Sequence, residues 1–275
     1  MMELLLDVSP TDVAAELTGR DYLSHSAITT YQSCSLRYYF KYVAGFPEGT
    51  VSANLIFGGS IHSALEAHFR ELIEGNPAPP LEHLHQAYRD KFDECEPDRI
   101  RFGRRTDRQS LDALALRIMA AFQASDLAHV DGRVVGIEEE IRGEVIPGVP
   151  QILARIDLLV DVGDAIVITD FKTARSPWSR AQADDAAGQL LLYHELVDPL
   201  AEGRPVRLEF AVVTKTKAPE ITRHFVPVDQ QKIERMKLIV QRVWRGIRSG
   251  LFFPSPSPTN CGTCPFIREC REWKG

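Results

Sequence analysis

Three residues in one stretch could carry out hydrolytic chemistry together: Asp157, Asp170 and Lys172. Two carboxylates on neighbouring strands can hold a hard divalent cation such as magnesium, which takes oxygen ligands and keeps several of its waters. A cation held there lowers the pKa of a bound water and neutralises charge growing on a phosphate oxygen. A lysine beside it can orient the attacking water. Placing these groups together requires a hairpin. Gln151 to Val162 and Ala165 to Phe171 are runs dense in Ile, Val and Leu, parted by Gly163-Asp164, which predicts two antiparallel strands of a buried sheet. The strand period of two then sends Asp170 and Lys172 to one side and Phe171 to the other, into apolar packing. Spacing alone is equally compatible with a surface hairpin bearing a solvated Asp-Lys pair, because motifs this short recur by chance.

The cysteines form a second constellation. Five are present, and three of them, Cys261, Cys264 and Cys270, fall within ten residues. An odd number in a chain expected to be cytoplasmic fits a metal or cluster site better than a disulfide framework. Three thiolates lack a fourth, and the alternatives are Cys34 and Cys95, of which Cys95 sits in the charged run DECEP without a cysteine nearby. Cys34 is the choice. Four thiolates suit zinc or an iron-sulfur cluster, and the spacing does not separate the two. Either would close a loop of more than two hundred residues, coupling folding to metal binding. Pro265 and Phe266 are placed to shield the sulfurs.

The elements that carry these residues follow in order. A helix is expected from Ser24 or Ser26 to about Val43, with Ile28, Tyr31, Tyr38 and Tyr42 at helical spacing and Cys34 inside it. Gly58-Gly59 opens a second helix with an apolar stripe of Ile61, Leu65, Phe69 and Leu72. His62 falls in its first turn and Glu66 one turn on; alone, such a histidine reads as a packed or surface residue. NPAPP at 76–80 precedes a helix over 81–95, and another over 107–128 follows the cluster Arg99, Arg101, Arg104, Arg105 and Arg108. The sheet begins near Arg133, where Glu139 and Glu140 are candidate further acids. A helix from about Gln182 to Val197 puts Gln189 and Tyr193 four apart on one face. VRLEFAVVTKTK and TRHFVPV read as strands, the second antiparallel or edge-like, before a helix from about Asp229 to Ser249 and a proline-rich approach to the cysteines.

The 275 residues, 44% hydrophobic and 25% charged, are enough for one large core or a core with an appended lobe, and the helix and strand patterns above read as α/β. No run reaches the ~20 apolar residues of a membrane helix, and the first residues, MMELLLDVSP, lack a signal peptide's basic region. A net charge of -6 argues against a uniformly basic surface yet permits a local cationic groove. The expected division is an extension over 1–23, a helical region over 24–132, a core over 133–250 and a cysteine segment over 251–275.

Taken together, Ser26-x-x-Thr29-x-Tyr31-x-x-Cys34, Gly58-x3-His62, Ile156-Asp157, Asp170-Phe171-Lys172-Thr173, Gln189-x3-Tyr193 and the terminal Cys261, Cys264 and Cys270 resemble one family. They resemble the PD-(D/E)XK nucleases of the RecB-like branch that carry an iron-sulfur cluster, such as CRISPR adaptation exonucleases and the AddB nuclease domain. The likeness covers roughly 24–275. It implies a restriction-endonuclease-like fold, a central mixed sheet flanked by helices with a helical N-terminal lobe and a C-terminal cysteine knuckle. It implies that His62, Asp157, Asp170 and the carbonyl of Phe171 bind magnesium or manganese, that Lys172 positions water, and that Gln189 and Tyr193 line the site and touch DNA. A 4Fe-4S cluster on Cys34, Cys261, Cys264 and Cys270 is implied as well, with zinc the other occupant. Two positions depart from the family pattern: Ser35 stands where proline often follows the first cysteine, and Ala154 where glycine often precedes the first acid. The activity implied is a DNA exonuclease acting on single strands or ends and leaving a 5′-phosphate, with a non-catalytic end-binding subunit of a helicase or CRISPR integrase complex as the alternative. Tyr31, Tyr38, Trp178 and Tyr193 are candidates for base stacking. The chain has no G-x4-GK-S/T phosphate loop, so unwinding would need a partner.

Overall fold

The computed structural model describes residues 9–104 and 106–275; Arg105 and the first eight residues lie outside it. In chain order its elements are α1 (Pro10–Thr18), β1 (Tyr22–Ser24), α2 (His25–Ser33), α3 (Ser35–Tyr38), β2 (Val51–Ser52), α4 (Ala53–Ile73), α5 (Leu81–Asp93), β3 (Ile100–Arg101) and α6 (Arg108–Gln123). There follow β4 (Arg133–Gly143), β5 (Gln151–Asp161), β6 (Ile166–Ala174), α7 (Arg180–Ala186), α8 (Gly188–Val197), β7 (Val206–Thr214), β8 (Ile221–Val226), α9 (Gln230–Arg248), α10 (Pro258–Cys261) and α11 (Ile267–Glu272). The strands order as β1-β5-β6-β7-β8 with β4 also on β5, a mixed sheet in which β6 and β7 run parallel while β5–β6 and β7–β8 are antiparallel. No helix among the described residues is long and apolar enough to cross a membrane.

The chain divides into two compact units, each discontinuous in sequence. One comprises Thr50–Glu140 and Arg155–Val228. Its core forms where the apolar stripe of α4, Phe57, Ile61, Ala64, Leu65 and Phe69, meets Tyr88 and Phe92 of α5, Ile118 and Phe122 of α6, and Leu158, Val160, Phe171, Ala211 and Val213 of the sheet. Phe171 therefore points into the core, as the strand period requires. The opposite face of β6 and β7, with Asp170, Lys172 and Phe210, looks toward Trp178 and α8. Helices flank the sheet on both sides. The hairpin forms as predicted, turned by Gly163 at φ +85°, which a side chain would strain.

The other unit comprises the chain up to Gly49, Ile141–Ala154 and Asp229–Gly275. β1 pairs in parallel with the first residues of β5, Tyr22↔Gln151 to Ser24↔Leu153, and α9 packs on α1 and α2. Three expectations need correction here and in the first unit. The helix over 24–43 breaks at Cys34, which is extended at φ -162° and ψ 106°; the chain there bonds outward, Leu36 N to Phe253 O and Ser35 Oγ with Phe253. Second, α4 starts at Ala53, so Gly58-Gly59 lie inside it and His62 falls in its third turn. A Cβ at Gly58 would meet Thr173 Oγ1 at 3.6 Å, an ordinary van der Waals contact, so the helix packs on β6 there without requiring glycine. Third, the helix over 182–197 is two, parted at Ala187.

Candidate active site

Asp157 and Asp170 stand at the first positions beyond the last antiparallel rung, Leu158↔Thr169. The strands part there, and Asp157 turns into the gap: its Oδ2 accepts the Phe171 amide at 2.7 Å, while its Oδ1 lies 3.4 Å from His62 Nδ1. Asp170 is buried. Its Oδ1 accepts from Gln189 Nε2 at 2.7 Å, and Lys172 Nζ stands 2.6 Å from its Oδ2. Oδ2 is thus a buried carboxylate oxygen whose partner is a cation, a setting that also suits a divalent metal ion. Gln189 binds the cluster together, accepting from Lys172 Nζ at 2.9 Å through Oε1 and donating to Tyr193 OH at 2.9 Å.

A third acid joins from a direction the sequence does not mark. Glu138 Oε1 lies 3.8 Å from His62 Nδ1, and donor atoms of His62, Glu138 and Asp157 all fall within 4.8 Å of one another. Glu138 has φ +48°, a left-handed conformation that non-glycine residues rarely adopt. The sequence offered Glu139 and Glu140 as further acids; Glu139 is exposed, and Glu140 pairs with Arg155. Three Glu in a row was the only signal, and the left-handed turn of the backbone at Glu138 selects among them.

Electrostatics fit the same picture. Desolvation pulls the His62 pKa down, but the charge and hydrogen bond of Asp157, followed by Glu138 and Asp170, outweigh it and hold His62 at about 10. Asp170 is raised to about 6, first by burial and then by the charge of Asp157, against the opposing pull of Lys172. The acids are thus arranged around positive charge that a bound divalent cation would replace, and their carboxylate oxygens suit magnesium or manganese.

A family model described as the PD-(D/E)XK nuclease superfamily matches residues 22–271. The chain belongs to that superfamily. Its mixed sheet with flanking helices is the restriction-endonuclease-like arrangement expected of a PD-(D/E)XK protein. Among solved structures it is similar to one described as "Putative exonuclease" from Eubacterium rectale, 16% identical over 100% of this chain and 96% of that one, with a TM-score of 0.57. A second, SSO0001, is 16% identical over 89% of this chain and 94% of that one, with a TM-score of 0.36. No curated protein matches.

In this PD-(D/E)XK chain the remaining predicted residues fall as follows. Cys34, Cys261, Cys264 and Cys270 line one cavity of about 40 Å³ with Arg37, Pro254 and Ile267. Cys34, Cys264 and Cys270 pack against Leu36, Phe40 and Phe266. Burial, then the neighbouring thiols, raise the Cys270 pKa. Cys95 lies in the other unit. Glu66 pairs with Arg70 rather than with His62. Of the arginine cluster, Arg108 is engaged by Asp93 and Asp112 and stacks on Phe92, and Arg105 is outside the described residues. One stacking candidate is corrected: Tyr38 is buried, while Tyr31 is half-buried, donates to Leu251 O at 2.7 Å and sits edge-on to Tyr38. Tyr193 is buried beside Gln189, and Trp178 packs on Phe210.

Proposed function

We propose that this nuclease-superfamily member is a divalent-metal-dependent deoxyribonuclease that hydrolyses phosphodiesters of single-stranded DNA or DNA ends. The observation that carries the reading is the single hydrogen-bonded cluster of Asp170, Lys172 and Gln189 beside His62, Glu138 and Asp157. Magnesium or manganese bound there would supply Lewis-acid polarisation of the scissile phosphate and a water of lowered pKa. His62, Asp157, Asp170 and Glu138 are the side chains that would hold it, with the Phe171 carbonyl as a further donor. Lys172 has three N–H donors, and one goes to Gln189. A second faces Asp170 Oδ2 at 2.6 Å, and the third would hold the attacking water in line with the leaving 3′ oxygen, so that the product keeps a 5′-phosphate. Gln189 fixes the Lys172 ammonium and, with Tyr193, lines the site against the substrate.

The four thiols around one cavity support a 4Fe-4S cluster as a staple of the cysteine-bearing unit, with zinc the other occupant. Counting iron and acid-labile sulfide against zinc in anaerobically purified protein separates the two.

The test is cleavage of end-labelled single- and double-stranded DNA with magnesium, manganese or EDTA, comparing wild type with Lys172→Ala. Metal-dependent cleavage lost by about 10²–10⁴-fold in the variant is the expected result, and the product ladder reports polarity. Folded wild type that cuts nothing under any condition overturns the enzyme and leaves a DNA-end-binding subunit serving a helicase or CRISPR integrase.

A further inference from the structure

α9 carries six basic side chains and one acidic one in a chain whose net charge is -6. Its inner face is fixed by packing: Ile233, Met236, Val240, Val243, Trp244 and Ile247 are buried. At Gly246 a Cβ would stand 2.1 Å from the Tyr31 hydroxyl, so α9 meets Tyr31 at a position that has no room for a side chain. The outer face is therefore fixed as well. It presents Arg235, Arg242, Arg245 and Arg248, all exposed, with exposed Leu238 and Ile239 between them. Among the described residues none of these four guanidinium groups has an ion-pair partner, and the helix's acid, Glu234, is engaged by Lys237 and Gln230. From Arg235 to Arg248 the row runs about 20 Å at 1.5 Å per residue.

We propose that this face is an exosite for the phosphodiester backbone of a nucleic acid strand, bound without regard to sequence. The proposal rests on the nucleic-acid reading above and adds a second surface to it. Charges on an ordinary solvated face are mixed in sign, whereas a row of unpaired arginines is complementary to a polyanion with regularly spaced phosphates. Each planar guanidinium can engage a phosphate through two parallel hydrogen bonds. Leu238 and Ile239 supply apolar contact for sugars and bases. A lipid surface fits less well, because an interfacial helix turns its broad apolar face to the membrane, and in α9 that face is buried in the protein.

The test measures binding of a fluorescent oligothymidylate and of a duplex in EDTA across a salt series, for wild type, Arg242→Gln/Arg245→Gln and Arg242→Glu/Arg245→Glu. The glutamine pair keeps a good helix former at each position and avoids acids at a helix C-terminus, so it remains informative if the glutamate pair folds poorly. Loss of two phosphate contacts should flatten the slope of log K against log[salt] by about 1.4 for the single strand and about 1.8 for the duplex. In cleavage, KM should rise with kcat unchanged, the mark of an interaction equal in ground and transition states. Unchanged affinity and slope in both variants, with wild type binding and cutting normally, overturns the exosite and leaves the nuclease reading standing. Variants that keep DNA affinity but lose affinity for phosphatidylserine vesicles make the face a lipid site and also overturn it. Wild type that neither binds nor cuts DNA overturns both.

Discussion

Asp170→Asn should make the metal-free protein more stable at neutral pH while abolishing cleavage. Asp170 is buried with its pKa raised from 3.8 to about 6, mainly by desolvation. The folded state therefore binds this proton more tightly than the unfolded state does. The resulting penalty is absent below about pH 4, grows as pH rises, and is complete above about pH 6. A rise of this size corresponds to about 3 kcal/mol at neutral pH. Asparagine has no charge to bury and can still accept from Gln189, and the attraction of Lys172 that it gives up is already contained in the raised pKa. The net gain should be about 1–3 kcal/mol at pH 7.5 and near zero at pH 4, read as urea midpoints of EDTA-treated protein. Manganese should raise the wild-type midpoint and leave the variant's little changed. A variant less stable than wild type at pH 7.5 without metal would refute the reasoning, since the carboxylate would then be a net stabiliser.

Three further outcomes follow from the geometry. Glu138→Gln should weaken manganese binding by at least about tenfold in calorimetry, and wild-type affinity would remove Glu138 from the ligand set. Gln189→Leu strips Asp170 Oδ1 of its donor and should cost about 1.5–3 kcal/mol while moving the acid limb of the pH–rate profile upward; an unmoved limb would mean that Gln189 does not act on Asp170. Gly246→Ala drives a Cβ into the Tyr31 hydroxyl and threatens its bond to Leu251 O, at a cost of about 1–3 kcal/mol. Adding Tyr31→Phe should recover part of that loss, and no recovery would place the clash elsewhere.

Local pattern was enough to establish the hairpin, because strand period and turn chemistry are properties of neighbouring residues. The same period put Asp170 and Lys172 on one side and Phe171 in the core, as found. Selecting Cys34 over Cys95 needed only the residue types and the lack of a better fourth thiol, and the structure lines one cavity with Cys34 and the terminal three. The helix ends were less legible. Ala53 to Phe57 extend α4 ahead of two glycines that ordinarily end helices, because packing of the stripe outweighs their propensity.

Tertiary structure alone decided the rest. Alternation along β4 cannot reveal which of Glu138, Glu139 and Glu140 reaches His62, because the left-handed backbone at Glu138, φ +48°, breaks the period at that position. Helical spacing placed Gln189 and Tyr193 together, yet only the approach of α8 to β6 makes Gln189 the bridge between Asp170 and Lys172. The break at Cys34 likewise depends on Phe253, more than two hundred residues away. Periodicity is a property of neighbours along the chain, whereas ligand sets and hydrogen-bonded bridges arise from strands and helices that meet only when the chain has folded.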